Sequence, residues 1–184
     1  MKTVGILALQ GDFDAHRKAV ERAGGSAIAV RTAADLGLCS GLIIPGGEST
    51  TMLKLLDQEQ LTAPIEAFAQ TKPVYGSCAG AILLARRVTH PAQPSLGLLD
   101  IDVERNAYGR QIDSRIVQLS TVLGEMEAVF IRAPIILEAA PEVAILASYA
   151  GHPVWVEQGR HMVTTFHPEL TPDPRVHARF LARL

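Results

Sequence analysis

A cysteine set between two glycines, Gly76-Ser77-Cys78-Ala79-Gly80, follows one apolar run and precedes another, "AILLA". This is the G-x-nucleophile-x-G pattern, in which a tight strand-to-helix turn exposes the central side chain. Such a turn brings neighbouring backbone too close for side chains, which gives both glycines a reason to be there. It also places Cys78 at a helix N-terminus, where unpaired amides and the helix dipole favour negative charge on sulfur. The competing reading is a packing cysteine, since free cysteines are among the most buried residues. A thiol nucleophile needs a base to take its proton and later hand it to a leaving amine, and neutral imidazole suits that task near neutral pH. His167 in "TTFHPEL" is the candidate base. In extended chain, residues two apart share a side, so Glu169 is expected to reach and orient His167 while Pro168 stiffens the link. Cys78, His167 and Glu169 make a triad of the kind that activates a nucleophile, whereas a lone histidine after a strand is more often structural. Upstream, Pro45-Gly46-Gly47-Glu48-Ser49 forms a Gly-Gly turn into a helix that Ser49 or Thr50 is expected to cap. The amides of Gly47 and Ala79 are candidates for an oxyanion hole; the plainer alternative is an ordinary strand-to-helix loop.

These residues need a scaffold that gathers strand ends. Short apolar runs alternate with helical patterns through the first half of the chain, which predicts parallel strands joined by crossover helices. "TVGILAL" (3–9), "SAIAV" (26–30), "GLIIPGG" (41–47) and "KPVYGSC" (72–78) are the strand candidates, and their near-continuous apolar character fits strands covered on both faces. Asp12 is placed to cap the first helix and Gly24-Gly25 to end it. In such a sheet ligands sit beyond the carboxyl ends of the strands, where the three motifs lie. After Pro91 the long helices disappear and antiparallel or mixed strands are expected. "HPVWVEQGRHMVTTFH" reads as a hairpin with Gln158-Gly159 at its turn. "AILLARR" reads as the elbow helix, with Arg86 and Arg87 near its C-terminal end. "TPDPRVHARFLARL" reads as a closing helix capped at Asp173, with Val176, Phe180, Leu181 and Leu184 on its apolar face.

The chain has 184 residues, 48% hydrophobic and 20% charged, which predicts one globular domain spanning 1–184. A net charge of -2 with no basic cluster argues against nucleic acid as a partner. The N-terminal apolar stretch, about seven residues long, is too short for a secretory or membrane-spanning segment, so a cytoplasmic protein is expected. Cys39 and Cys78 are read as thiols, with Cys39 a packing residue. His16, His90, His152, His161 and His177 show no metal-binding spacing, and neither a metal nor a cofactor is expected.

"PGGES", "GSCAG" and "FHPE", in this order and at these separations, resemble the class I (triad) glutamine amidotransferases. "LALQGDFDAH", "GLIIPGGESTTM", "VERNAYGRQIDS", "FIRAPIILEA" and "FHPELTPD" are similar, nearly end to end, to the glutaminase subunits of pyridoxal 5′-phosphate synthases. The resemblance implies a flavodoxin-like three-layer α/β sandwich with a mostly parallel central sheet. It implies hydrolysis of L-glutamine to L-glutamate and ammonia, with Cys78 forming a thioester, His167 as acid and base, and Glu169 orienting it. Gly47, Glu48, Ser49, Arg105, Ile131 and Arg132 match the family's glutamine-binding positions. A guanidinium is a sensible partner for the substrate carboxylate, while the plainer reading of both arginines is an ion pair within the protein. Gln10 is a candidate contact to the partner. The implied partner is a synthase subunit, in a large hetero-oligomer with a dodecameric synthase core decorated by glutaminase subunits. Ser77 departs from the family's usual threonine, and Ala81 replaces a larger apolar residue. Three alternatives are an amidotransferase serving a different ammonia-accepting synthase, a redox-sensing or chaperone-like relative with a cysteine elbow, and a pseudoenzyme. "FHPE" counts against the redox relative, and the complete triad against the pseudoenzyme.

Overall fold

The computed structural model describes residues 2–105 and 114–184, so "NAYGRQID" in the motif quoted above lies outside the described residues. Its centre is a nine-stranded sheet in the order β2-β1-β3-β4-β12-β11-β10-β7-β8. One half is parallel: β1 (Thr3–Leu7) lies between β2 (Ser26–Val30) and β3 (Gly41–Ile44), followed by β4 (Val74–Ser77) and β12 (His161–Thr164). The other half is antiparallel: β11 (His152–Gln158), β10 (Ala144–Tyr149), β7 (Arg115–Thr121) and β8 (Gly124–Phe130). A second sheet joins β5 (Ala85–Thr89), β6 (Leu99–Glu104) and β9 (Ile135–Ala139).

Alternation along the parallel strands divides the core into two layers. Val4, Ile6, Ile43, Tyr75 and Met162 face the layer beneath α1 (Phe13–Arg22) and α6 (Arg175–Leu181). Leu42, Ile44, Val74 and Val163 face the opposite layer, covered by α2 (Ala33–Gly37), α3 (Ser49–Gln58), α4 (Thr62–Ala69) and α5 (Ala79–Leu84). This is the α/β sandwich that the alternating pattern predicts, with the antiparallel strands following Pro91 as expected. Asp12 caps α1 by accepting the Ala15 amide at 3.2 Å, and Gly24, at φ 86°, turns the chain out of it.

Several local expectations need correction. The cap of α3 is Glu48, whose carboxylate accepts from the Thr50 and Thr51 amides. A charged oxygen at the positive end of a helix outcompetes a neutral hydroxyl, and Ser49 is instead buried and bonded to Gln93. Helix α5 stops at Leu84, so Arg86 and Arg87 lie on β5, where both pair with the buried Asp102 of β6. Strand β3 ends at Ile44 and leaves Pro45–Gly47 to the loop. The β11–β12 turn is centred on Gly159-Arg160, with Gln158 and His161 as its closing pair. Helix α6 starts one residue later than expected, after Pro174, yet Asp173 still accepts the Arg175 amide at 3.0 Å.

Candidate active site

The elbow is built by steric necessity. Cys78 sits at φ 49° and ψ −105°, in strained left-handed territory that a non-glycine residue adopts only when its surroundings impose it. A Cβ on Gly76 would lie 2.5 Å from the Gly80 carbonyl, and one on Gly80 would lie 2.1 Å from the Ile44 oxygen. The turn therefore closes only with glycine on both sides of the cysteine. The Cys78 amide donates to the Thr164 carbonyl at 2.9 Å, continuing the β4–β12 pairing beyond the last strand residues. Cys78 is 6% exposed, and its thiol points toward the Ile131 carbonyl, with sulfur and oxygen 3.7 Å apart.

That same pairing delivers the base. Three residues beyond Thr164, the His167 amide is held by the Val129 carbonyl at the end of β8, 2.8 Å away. Gly46 shows how tightly His167 and Cys78 share space: a Cβ there would lie 2.6 Å from His167 Cε1 and 3.4 Å from Cys78 Cβ. His167 Nδ1 donates to Glu169 Oε1 at 2.7 Å, leaving Nε2 buried with no protein hydrogen-bond partner among the described residues. The chain is not extended here as the sequence suggests. Residues Pro168–Leu170 make a 3₁₀ turn, and this turn, rather than strand alternation, folds Glu169 back onto the ring.

The electrostatics follow from burial and pairing. Burial opposes charge on His167, but the Cys78 sulfur and the Glu169 carboxylate outweigh it and raise His167 to about 10. Burial would likewise raise Glu169, yet His16 and His167 hold it down at about 2. The arrangement favours a carboxylate beside an imidazolium.

Cys78 separates two clefts. One, of about 330 Å³, is lined by Gly47, Glu48, Ser49, Arg105 and Arg132 together with Cys78. The other, of about 290 Å³, lies on the His167 side and adds Ile131 and Leu170. Eight of the nine sequence-predicted residues thus line one cleft or the other, and Glu169 stands behind His167. Arg105 Nη2 reaches Thr50 Oγ1 at 3.2 Å and Glu48 Oε1 at 3.4 Å, which holds the guanidinium over the first cleft. The Thr51 hydroxyl, with the Thr51 and Thr50 amides, outweighs the partial burial of Glu48 and holds its carboxyl at about 2. Gln10 Oε1 accepts the Glu48 amide at 3.0 Å, so it braces the Gly46-Gly47 loop at the edge of the first cleft. Among the described residues no cluster of side chains suits a metal ion, and no helix is long and apolar enough to cross a membrane.

Residues 6–184 match the SNO glutamine amidotransferase family. The chain belongs to that family. Among curated amidotransferase relatives, the pyridoxal 5'-phosphate synthase subunit PdxT of Solibacter usitatus is 59% identical over 192 residues, covering all of both chains. The protein of the same name from Koribacter versatilis is 54% identical, covering 97% of this chain and 93% of its own. A solved glutamine amidotransferase superposes with a TM-score of 0.92 at 43% identity, covering 98% of this chain and 97% of its own. PurLQS from Thermotoga maritima, at 16% identity and a TM-score of 0.75 over 98% of this chain and 97% of its own, shares the fold.

Sequence reasoning missed the residues behind Cys78, His167 and Glu169. His16 and His177 are fully buried, and Ser77 bonds to His16. The available signal was position: His16 lies on the stripe with Phe13, Ala19 and Val20, and His177 lies beside Val176 on the inner face of α6. Ile82 and Pro134, which close the first cleft, carry no chemical signature in the sequence.

Proposed function

We propose that this chain is the glutaminase subunit of a pyridoxal 5′-phosphate synthase, a single cytoplasmic domain that hydrolyses L-glutamine and passes ammonia to a synthase subunit. One observation carries the reading: in a chain 59% identical end to end to a PdxT subunit, β4 and β12 bring a strained cysteine beside a carboxylate-held histidine.

In the proposed reaction, His167 Nε2 first takes the thiol proton, giving the imidazolium that its surroundings favour, and the Cys78 sulfur then attacks the carbon of the substrate's side-chain amide. Nε2 is the free nitrogen because Glu169 holds Nδ1. The negative oxygen of the tetrahedral intermediate faces the amides of Gly47 and Ala79. His167 returns the proton to the departing nitrogen, which leaves as ammonia, and a glutamyl thioester remains on Cys78. Water, losing a proton to the same imidazole, then cleaves the thioester to glutamate and the free thiol. Arg105 and Arg132 meet the substrate carboxylate, and Glu48, Ser49 and Ile131 shape the pocket. Gln10, on the rim beside the oxyanion loop, contacts the partner subunit in a large hetero-oligomer.

A glutaminase assay with and without the synthase subunit tests this. Ammonia release is expected mainly in the mixture and is abolished by Cys78→Ala. Full activity in the alanine variant would overturn the thioester route.

A further inference from the structure

Behind the triad, on the side away from both clefts, lies a chain of buried polar groups that the proposed reaction does not use. His16 of α1 and His177 of α6 are both 0% exposed. His16 Nδ1 and His177 Nε2 are 3.0 Å apart; His16 Nε2 lies 3.0 Å from Ser77 Oγ and 3.5 Å from Glu169 Oε2. That second carboxylate oxygen is itself buried and makes no hydrogen bond of ordinary length among the described residues. A buried anionic oxygen without a donor is costly, and among the described residues the basic nitrogen paired with it is His16 Nε2.

The proton positions can be assigned from the network. Burial lowers both histidines, His177 to about 3, so each ring is neutral and carries one N–H. If His16 carried its proton on Nδ1, the bare Nε2 would face the carboxylate, and His177 Nδ1–H would be a buried donor with no partner. With the proton on Nε2, it faces Ser77 Oγ and Glu169 Oε2 while His177 Nε2–H donates to His16 Nδ1. Only a neutral acceptor, His177 Nδ1, is then left unpaired. The second arrangement costs less. Every N–H in it points toward the carboxylate, and such aligned bonds polarise one another.

We infer that His16, backed by His177, is a positioning residue for the triad: its Nε2–H holds the inner oxygen of Glu169 so that the outer oxygen stays anionic and aimed at His167. The inference rests on the triad reading above. The charged or titratable groups around this chain are His167, Asp12 before α1, Arg22 at its end, and Tyr75 of β4. Removing the donor raises the Glu169 titration, so the carboxylate that supports the imidazolium is lost at a higher pH.

The test uses the full chain with two readouts: glutaminase turnover with the synthase subunit, and the pH profile of Cys78 alkylation by iodoacetamide, which needs neither glutamine nor partner. His16→Leu should lower kcat about tenfold to a hundredfold, the worth of one hydrogen bond to a charged group, with KM changed less than about twofold. It should also move the acid limb of alkylation upward by about one pH unit. His16→Gln, whose side-chain N–H reaches the same place, should restore most of both. In a Glu169→Gln background His16→Leu should add almost nothing. Equal impairment of the Leu and Gln variants, or losses that add in full with Glu169→Gln, would overturn the assignment. If His16→Leu does not fold, His177→Phe must shift the alkylation limb in the same direction by less, and an unmoved limb refutes the role. Absence of ammonia from the wild-type mixture would count against the glutaminase reading alone, because the alkylation profile still reports on His16.

Discussion

The two halves of the central sheet divide the work differently. In the parallel half, β3, β4 and β12 end side by side, and their loops carry Gly47, Cys78 and His167. In the antiparallel half, strand ends point alternately up and down, and among the described residues it is the end of β8 that reaches the site. It contributes the Val129 carbonyl that holds His167 and the Ile131 carbonyl that faces the sulfur. Parallel pairing aligns strand ends that are remote in sequence, so a single register, Ser77 opposite Thr164, fixes how Cys78 and His167 are spaced. The antiparallel half steadies that geometry from outside.

Matched glycine substitutions break this comparison most directly. Gly80→Ala should eliminate turnover, because its Cβ would meet the Ile44 backbone at 2.1 Å and the elbow cannot close. Gly124→Ala, at the β7–β8 turn with φ 92°, has its nearest contact at 3.7 Å with a flexible arginine. It should cost about 1 kcal/mol in a denaturant titration, from backbone strain alone, and leave kcat unchanged. Next in size, Glu169→Gln should lower kcat by about 10²- to 10⁴-fold with little change in KM, since the imidazole loses its anionic support. Steady-state kinetics with the partner check it.

The parallel half should also set the acid sensitivity of the fold. Glu169 is held near 2 and His177 near 3, both below their ordinary values of 4.5 and 6.5. In each case the unfolded chain binds the proton more readily, so stability rises with pH across the intervening window. The melting temperature should therefore be highest near pH 6.5, fall as His177 is drawn toward protonation, and fall further below about pH 4.5 as Glu169 follows, while above pH 6.5 it declines as His167, raised to about 10, is drawn toward losing its proton. His177→Phe should flatten the upper part of that decline. A melting temperature constant from pH 7 to 4 in the unsubstituted protein would contradict the buried network.

Much of the parallel half is legible in the sequence because its signals are local and strong. Glycines flank a nucleophile that must sit at positive φ, apolar runs mark strands covered on both faces, and Asp12 caps the helix where a short acidic side chain should. What escapes prediction depends on partners distant in the chain. "AILLARR" reads as continuous helix until Asp102, on another strand, draws Arg86 and Arg87 onto β5. Glu48 outranks Ser49 as a cap because Ser49 is buried against Gln93, a contact no spacing reveals. The helices α2 and α4 went unmarked because each is short; the second starts without a side-chain cap and carries Pro64 in its first turn. His16 and His177 look like ordinary core substitutions on two amphipathic helices until tertiary packing sets them end to end.

The central claim is that Cys78 is the sulfur that attacks the substrate amide. The most direct measurement is mass spectrometry of the chain, with its synthase partner, after treatment with a glutamine-like alkylating analogue. The account predicts a single adduct on the peptide carrying Cys78, blocked by excess glutamine. An adduct on the buried Cys39 instead, with Cys78 unmodified, would contradict it.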